Sequence, residues 1–216
     1  MRTSKDFVAE LLTMVDSFCH TLDANPPAYS YIPLGSDEER IRVMKSRLHN
    51  EVRAAELFGT WLKTTPELEV KAIMAESAHE EMEHAQLLSK RISDLGFEPF
   101  EYQALPAQTA MFNAIEGLTD TCQRMAGFSL AGEAVATYLT RKCLQAATVP
   151  DWIKQPYQRI AQDEEGHGSI PQEILLRYAT TEERQEGARR AVAMRLTLFR
   201  EYLNSLDRWA MGKDRW

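Results

Sequence analysis

The sequence predicts an all-α chain, a bundle of four long helices with a further helix at each end. Three observations carry this. Apolar residues recur at alternating steps of three and four through long segments, as on the buried face of a helix. No alternating apolar and polar run is long enough to make a strand. One glutamate followed by a glutamate and histidine pair occurs twice at nearly the same internal spacing, which divides the middle of the chain into two related hairpins.

A first helix covers about residues 4–24 and ends before Asn25-Pro26-Pro27, since proline lacks the amide a helix interior needs. A loop with Tyr29, Tyr31 and Pro33 follows. Ser36 is placed to cap the next helix, with Glu39 three residues on to complete a capping box. The four bundle helices fall at about 37–64, 66–95, 108–147 and 151–178, with Gly96 as a natural C-cap of the second. Residues 97–107 form a long crossover containing Pro99 and Pro106. A last helix at about 181–208 carries Arg189, Arg190, Arg195 and Arg200. These read as a solvated face, although an acidic electron donor or a substrate carboxylate could dock there. The whole, residues 1–216, reads as one domain with its bundle core at about 37–178, and either terminal helix could cover a pocket or form a homodimer surface.

The repeated motif is Glu51 with Glu81-Met82-Glu83-His84, and Glu133 with Glu164-Glu165-Gly166-His167. Glu51 precedes Glu81 by 30 positions and Glu133 precedes Glu164 by 31. Glu-x-x-His alone is weak evidence, because 22 Glu and 5 His give roughly 0.5 such pairs by chance. A third pair, Glu76 with His79, falls on another helical face and reads as surface. Placement is what strengthens the other two. Ile41, Met44, Leu48, Glu51, Ala55, Phe58 and Leu62 form a core-facing stripe with an acid in its middle, and Glu81 with His84, Glu133, and Glu164 with His167 interrupt three further stripes in the same way. No Arg or Lys is expected at the neighbouring inward positions. Four converging carboxylates in an apolar interior are costly unless cations neutralise them, and this ligand set suits two iron or manganese ions in a helical bundle. Chain lengths agree: from Glu51 to the break at Thr64-Thr65-Pro66 is about 20 Å of helix, and from Pro66 back to Glu81 about 22 Å.

Composition narrows the alternatives. With 44% hydrophobic and 26% charged residues, the chain can bury one substantial core. No segment approaches the eighteen or so apolar residues of a membrane span, and the amphipathic start lacks a secretory apolar stretch, so a cytoplasmic protein without a membrane partner is expected. Cys19, Cys122 and Cys143 are too scattered for a disulfide framework or a rubredoxin site. A net charge of −7 argues against nucleic acid as the partner.

The segments around Glu51, Glu80-Glu81-Met82-Glu83-His84 and Asp163-Glu164-Glu165-Gly166-His167 resemble signatures of the ferritin-like superfamily of non-haem di-iron carboxylate proteins. The resemblance runs over residues 37 to about 175. It implies a ferritin-like bundle in which Glu51, Glu81 and His84 serve one iron and Glu133, Glu164 and His167 the other, with Glu81 and Glu164 bridging. It also implies that Asp163 orients His84 and that Glu80 orients His167. Lengths are most similar to the single-chain oxygen-activating enzymes. The expected function is therefore an O2-dependent oxidase or oxygenase acting on a small organic molecule, with two Fe ions or a Mn/Fe pair, and with electrons from a ferredoxin or reductase. The competing function is iron handling, as a ferroxidase or peroxide scavenger. Ala54, Ala55, Gly59, Ser129, Gly132, Ala136 and Thr137 either leave a substrate cavity beside the ligands or let helices pack closely. Tyr157 reads as a packed core residue or a hydrogen-bond donor near the site.

Overall fold

Among the described residues every regular element is helical. The structure, a computed structural model, describes residues 2–24, 36–164 and 167–210, and for His167 the backbone alone. The loop expected around Tyr29, Tyr31 and Pro33 lies outside the described residues, as do Glu165 and Gly166. Among the described residues no helix is long and apolar enough to cross a membrane.

Helix α1 spans Ser4–Ala24, α2 Asp37–Leu62 and α3 Leu68–Asp94, each within a few residues of the sequence expectation. The capping box forms at α2: the Glu39 amide donates to Ser36 Oγ at 3.2 Å and the Ser36 amide to Glu39 Oε2 at 2.8 Å. Beyond α3, Gly96 takes φ +85°, and the amides of Gly96 and Phe97 return to the carbonyls of Ser93 and Ile92. That Schellman closure needs a residue free of the Cβ penalty. The α2–α3 connection is tied down by Arg124, which donates to the hydroxyls of Thr64 and Thr65 at 2.8 and 2.9 Å.

The second half is more broken than the stripes predict. In place of one helix at 108–147 there is α4 at Pro106–Glu116, then α5 at Thr121–Arg124, a π-helical stretch at Met125–Glu133 and α6 at Ala134–Gln145. Asp120 caps α5 by accepting from the Cys122 amide at 2.8 Å. The helix expected at 151–178 divides into α7 at Asp151–Asp163 and α8 at Ile170–Tyr178, joined by a 3₁₀ turn at His167–Ser169. Pro156 inside α7 has no amide for the Trp152 carbonyl, and Arg91 Nε of α3 donates to that oxygen instead at 2.9 Å.

The terminal helices are present and deeply packed. Phe7, Leu11 and Leu22 of α1, and Val192, Leu203 and Leu206 of α9 at Glu182–Ala210, share one apolar cluster with Phe58 and Phe128. A second cluster, with Leu48, Leu88, Ile153 and Ile160, joins the outer halves of α2 and α3 to α7. Each fully buried Leu or Phe contributes about 1.5–3 kcal/mol relative to exposure. The predicted ligands come from the elements that bound both clusters.

Candidate metal centre

Glu51 sits in the middle of α2 and Glu81 and His84 in the middle of antiparallel α3, where the apolar stripes point each at the other helix. The three are 3%, 8% and 3% exposed. One ligand atom from each lies within 4.8 Å of the other two. Glu133 closes the π-helical stretch, whose other eight residues, Met125 to Gly132, are all buried. Glu164 caps the C-terminus of α7, placing its Oε1 3.8 Å from His84 Nδ1. The backbone at His167 opens a 3₁₀ turn, and the side chain of this sixth predicted ligand lies outside the described residues. His79 and Glu83 are exposed and lie 3.7 Å apart, facing away from the cluster.

The expectation that no Arg or Lys reaches these inward positions is corrected. Arg47, one helical turn before Glu51, pairs directly with its carboxylate, because i and i+4 share a helix face. Burial works to raise the Glu51 carboxyl, but the Arg47 charge, a hydrogen bond with Glu81 and the nearby His84 hold it below its ordinary value. Glu81 goes the other way: burial and the negative charge of Glu51 push it well above the carboxylate range, with Glu133 and Glu164 adding to the rise. Glu133 is raised as well, by burial and by Glu164, against the opposing charge of Arg195. Burial in turn draws the Arg195 guanidinium down to about 10, leaving it a cation at neutral pH.

The residues fit a metal. Among the described residues His84 Nδ1 is buried with no hydrogen-bond partner, yet it faces Glu164 Oε1 at 3.8 Å. Two ligand atoms each about 2.1 Å from a shared cation stand at most about 4.2 Å apart. The other ring nitrogen, Nε2, lies 3.7 Å from Asp163 Oδ2, and Asp163 is in turn held by Arg159 at 3.0 Å. A carboxylate behind a ligating imidazole fixes which nitrogen faces the metal.

Two cavities meet at the acids. One of about 110 Å³ is lined by Glu51, Glu81, Glu133 and Glu164 together with apolar Val43, Met44, Phe112, Phe128, Leu139 and Ile153. Another of about 90 Å³ lies on the far side, between Ser77, Glu80, Ser129, Ile170 and Pro171, and shares Glu81, Glu133 and Glu164 with the first. Of the predicted small residues, Ala54, Gly132, Ala136 and Thr137 line the first cavity and Ser129 the second. Ala55 is packed in the core, while Gly59 is exposed. Tyr157 is buried and also lines the first cavity, with burial holding its phenol above the ordinary value. The three cysteines are free thiols.

No protein-family model and no curated protein matches the chain. The fold does match a solved structure, a domain of unknown function from Shewanella denitrificans OS217 with a heme oxygenase-like fold. The TM-score is 0.72 at 17% identity, over 95% of this chain and 92% of that one. The chain is thus an all-helical protein of heme oxygenase-like architecture. This overturns the ferritin-like resemblance. Its physical basis is visible in the core: α1 and α9 supply much of the larger apolar cluster, and the two expected second-half helices are interrupted at 117–120 and after Glu164. The matched spacing of the glutamates reported a local convergence and carried no information about how six or more helices pack around it.

Of the two arginines beside the acids, Arg47 escaped the sequence reading, and Arg195 is read there with Arg189, Arg190 and Arg200 as a solvated face, whereas the structure buries it. The signal was available. Arg195 lies on the stripe Ala188, Ala191, Arg195, Phe199, Tyr202, just as Glu51 lies on its own, whereas Arg189, Arg190 and Arg200 fall off it.

Proposed function

We propose that the chain is a non-haem oxidoreductase that uses two metal ions, iron or a manganese and iron pair, with O2 to oxidise a small organic molecule. The observation that carries this reading is the buried group Glu51, Glu81 and His84, whose two carboxylates line a largely apolar cavity together with Glu133 and Glu164. When bound, the metals supply the one-electron chemistry that O2 reduction requires. Glu51, Glu81, Glu133, Glu164 and His84 would hold them, with His167 as the sixth candidate. Asp163, 3.7 Å from His84 Nε2, would keep the ring turned so that Nδ1 faces inward. Val43, Met44, Phe112 and Phe128 exclude water from the space beside the acids and leave room for a substrate of modest size. Four-electron reduction of O2 coupled to a two-electron oxidation takes two further electrons from an external ferredoxin or reductase.

The apolar lining favours an organic substrate over iron handling, since mobile cations are poorly served by Phe and Met walls. A volume of about 110 Å³ with four carboxylates on its walls also suits a small molecule better than a porphyrin, whatever the fold name of the Shewanella domain. The test is metal per chain after anaerobic reconstitution and desalting, beside Glu133→Ala. About two metals in the parent, clearly fewer in the variant, and O2 uptake by the ferrous protein are expected. Near-zero metal in both proteins ends the reading.

A further inference from the structure

Four arginines of α9 were grouped as one face, and three behave that way. Arg189 pairs with Glu10 and Glu186, Arg190 with Glu186, and Arg200 lies over the ring of Phe18 and donates to Thr21. Arg195 is only 5% exposed and lines the apolar cavity beside the acids. Among the described residues no ion pair reaches it, and its Nε and Nη1 are buried without a hydrogen bond. The rings of Phe199, Phe128 and Phe112 stand 4.9, 5.6 and 6.0 Å from its central carbon. Aromatic faces stabilise the charge of a guanidinium without using its N–H donors. The Nε and Nη1 donors lie in the plane of the group and have no partner among the described residues.

The backbone makes room for this arrangement. A Cβ at Gly132 would stand 2.9 Å from both Nε and Nη2 of Arg195, so glycine is what lets the guanidinium lie against the helix one residue from Glu133. Burying a cation with unmet donors is costly, and the usual resolution is an anionic partner that accepts from them.

We propose that Arg195 is the anchor for a carboxylate on the substrate, which makes the substrate class small, largely apolar carboxylic acids. The inference rests on reading this cavity as the substrate pocket. A single carboxylate fits better than a phosphate. Against Arg40, Arg47 and Arg195 the walls carry four carboxylates, of which Glu51 already takes up Arg47, so a doubly charged group meets more repulsion than a single carboxylate, and the lining around Val43, Met44 and Leu139 suits a hydrocarbon body. Held by Arg195, next to Glu133, the acid places its nearest carbons beside the candidate metal ligands.

The experiment is calorimetric titration of the full chain, stripped of metal with a chelator so that no acid can bind through a metal. The probes are straight-chain carboxylates from butanoate to decanoate, each against its own amide. At least one acid is expected to bind tenfold or more tighter than its amide, and Arg195→Gln is expected to abolish that preference while circular dichroism stays helical. If Arg195→Gln does not fold, the acid-over-amide ratio in the parent decides alone. Equal binding of acid and amide, no binding by any acid, or an unchanged preference in folded Arg195→Gln overturns the inference. Metal content of the parent, measured separately, distinguishes the two failures: two metals without an acid preference removes only the anchor, and an Arg195-dependent preference without metals removes only the metal reading.

Discussion

Glu51 offers one carboxylate to two claimants, the Arg47 guanidinium and any cation held with Glu81 and His84. The choice has a measurable consequence. With no metal bound, Arg47 offsets the buried charge of Glu51, whose side chain is 4% exposed against 21% for Arg47. Removing one partner of such a pair leaves the other uncompensated, and Arg47→Met should destabilise the metal-free chain by about 2–3 kcal/mol, near the lower end for buried pairs. Once Mn(II) occupies the site, the metal supplies the countercharge, and the same substitution should cost less than about 1 kcal/mol. Urea unfolding of both proteins with and without Mn(II) reads the difference. An equal loss in both states would mean that Arg47 is the permanent partner of Glu51 and that Glu51 ligates nothing.

At the scale of elements, the close approach of the π-helical stretch to α9 fixes where Glu133 ends up. A Cβ on Gly127 would meet Ala191 Cβ at 3.0 Å and its carbonyl oxygen at 3.2 Å. Replacing a helical glycine by alanine ordinarily gains about 0.5–1 kcal/mol, whereas overpacking costs about 1–3 kcal/mol. Backbone cannot move aside like a side-chain tip, so Gly127→Ala should be net destabilising, with part of the loss recovered by adding Ala191→Gly. A stabilised Gly127→Ala protein would refute the close packing. The α1–α9 contact is probed through Glu10, which accepts from Arg189 at 2.7 and 3.0 Å and is held below its ordinary pKa first by that hydrogen bond. A depressed carboxylate stabilises above its unfolded value near 4.5 and loses that contribution as pH falls through the folded one. Glu10→Gln should therefore cost about 0.5–1 kcal/mol at pH 7 and progressively less below about pH 4.5. A gap that holds constant to pH 3 would exclude this ion pair as its source. These elements also mark the limit of sequence reading. Ser36 with Glu39, Gly96 and Pro66 state the ends of α2 and α3 in local chemistry. The stripe through Glu133, on the one helix expected at 108–147, assumes a constant helical period, and a stretch with i→i+5 bonding from Met125 to Glu133 violates that assumption without any residue announcing it.

Across the whole molecule, the convergence of Glu51, Glu81 and His84 was legible because acids on an apolar stripe are too costly to place there idly. The packing of α1 and α9 into the core was not, because apolar stripes say that a helix is buried but not which helices bury it, and the chain's global likeness is accordingly to a heme oxygenase-like domain. That arrangement has a thermodynamic consequence. The candidate ligands come from α2, α3, the π-helical stretch and the end of α7, so metal held by all of them would link four separate elements of the chain. Any ligand that binds only the folded state stabilises it by about 2.7 kcal/mol at one hundred times its dissociation constant, hence about 5 kcal/mol for two independent sites. In a chain of this size each kcal/mol moves the melting temperature by about 2–4 °C, which predicts a rise of roughly 10–20 °C on anaerobic addition of Fe(II) or Mn(II) and its reversal by chelator. His84→Ala and Glu81→Gln should each lose at least half of that rise. A rise of the same size in both variants would assign it to metal bound elsewhere, because removing a ligand of the bound ion must weaken its binding.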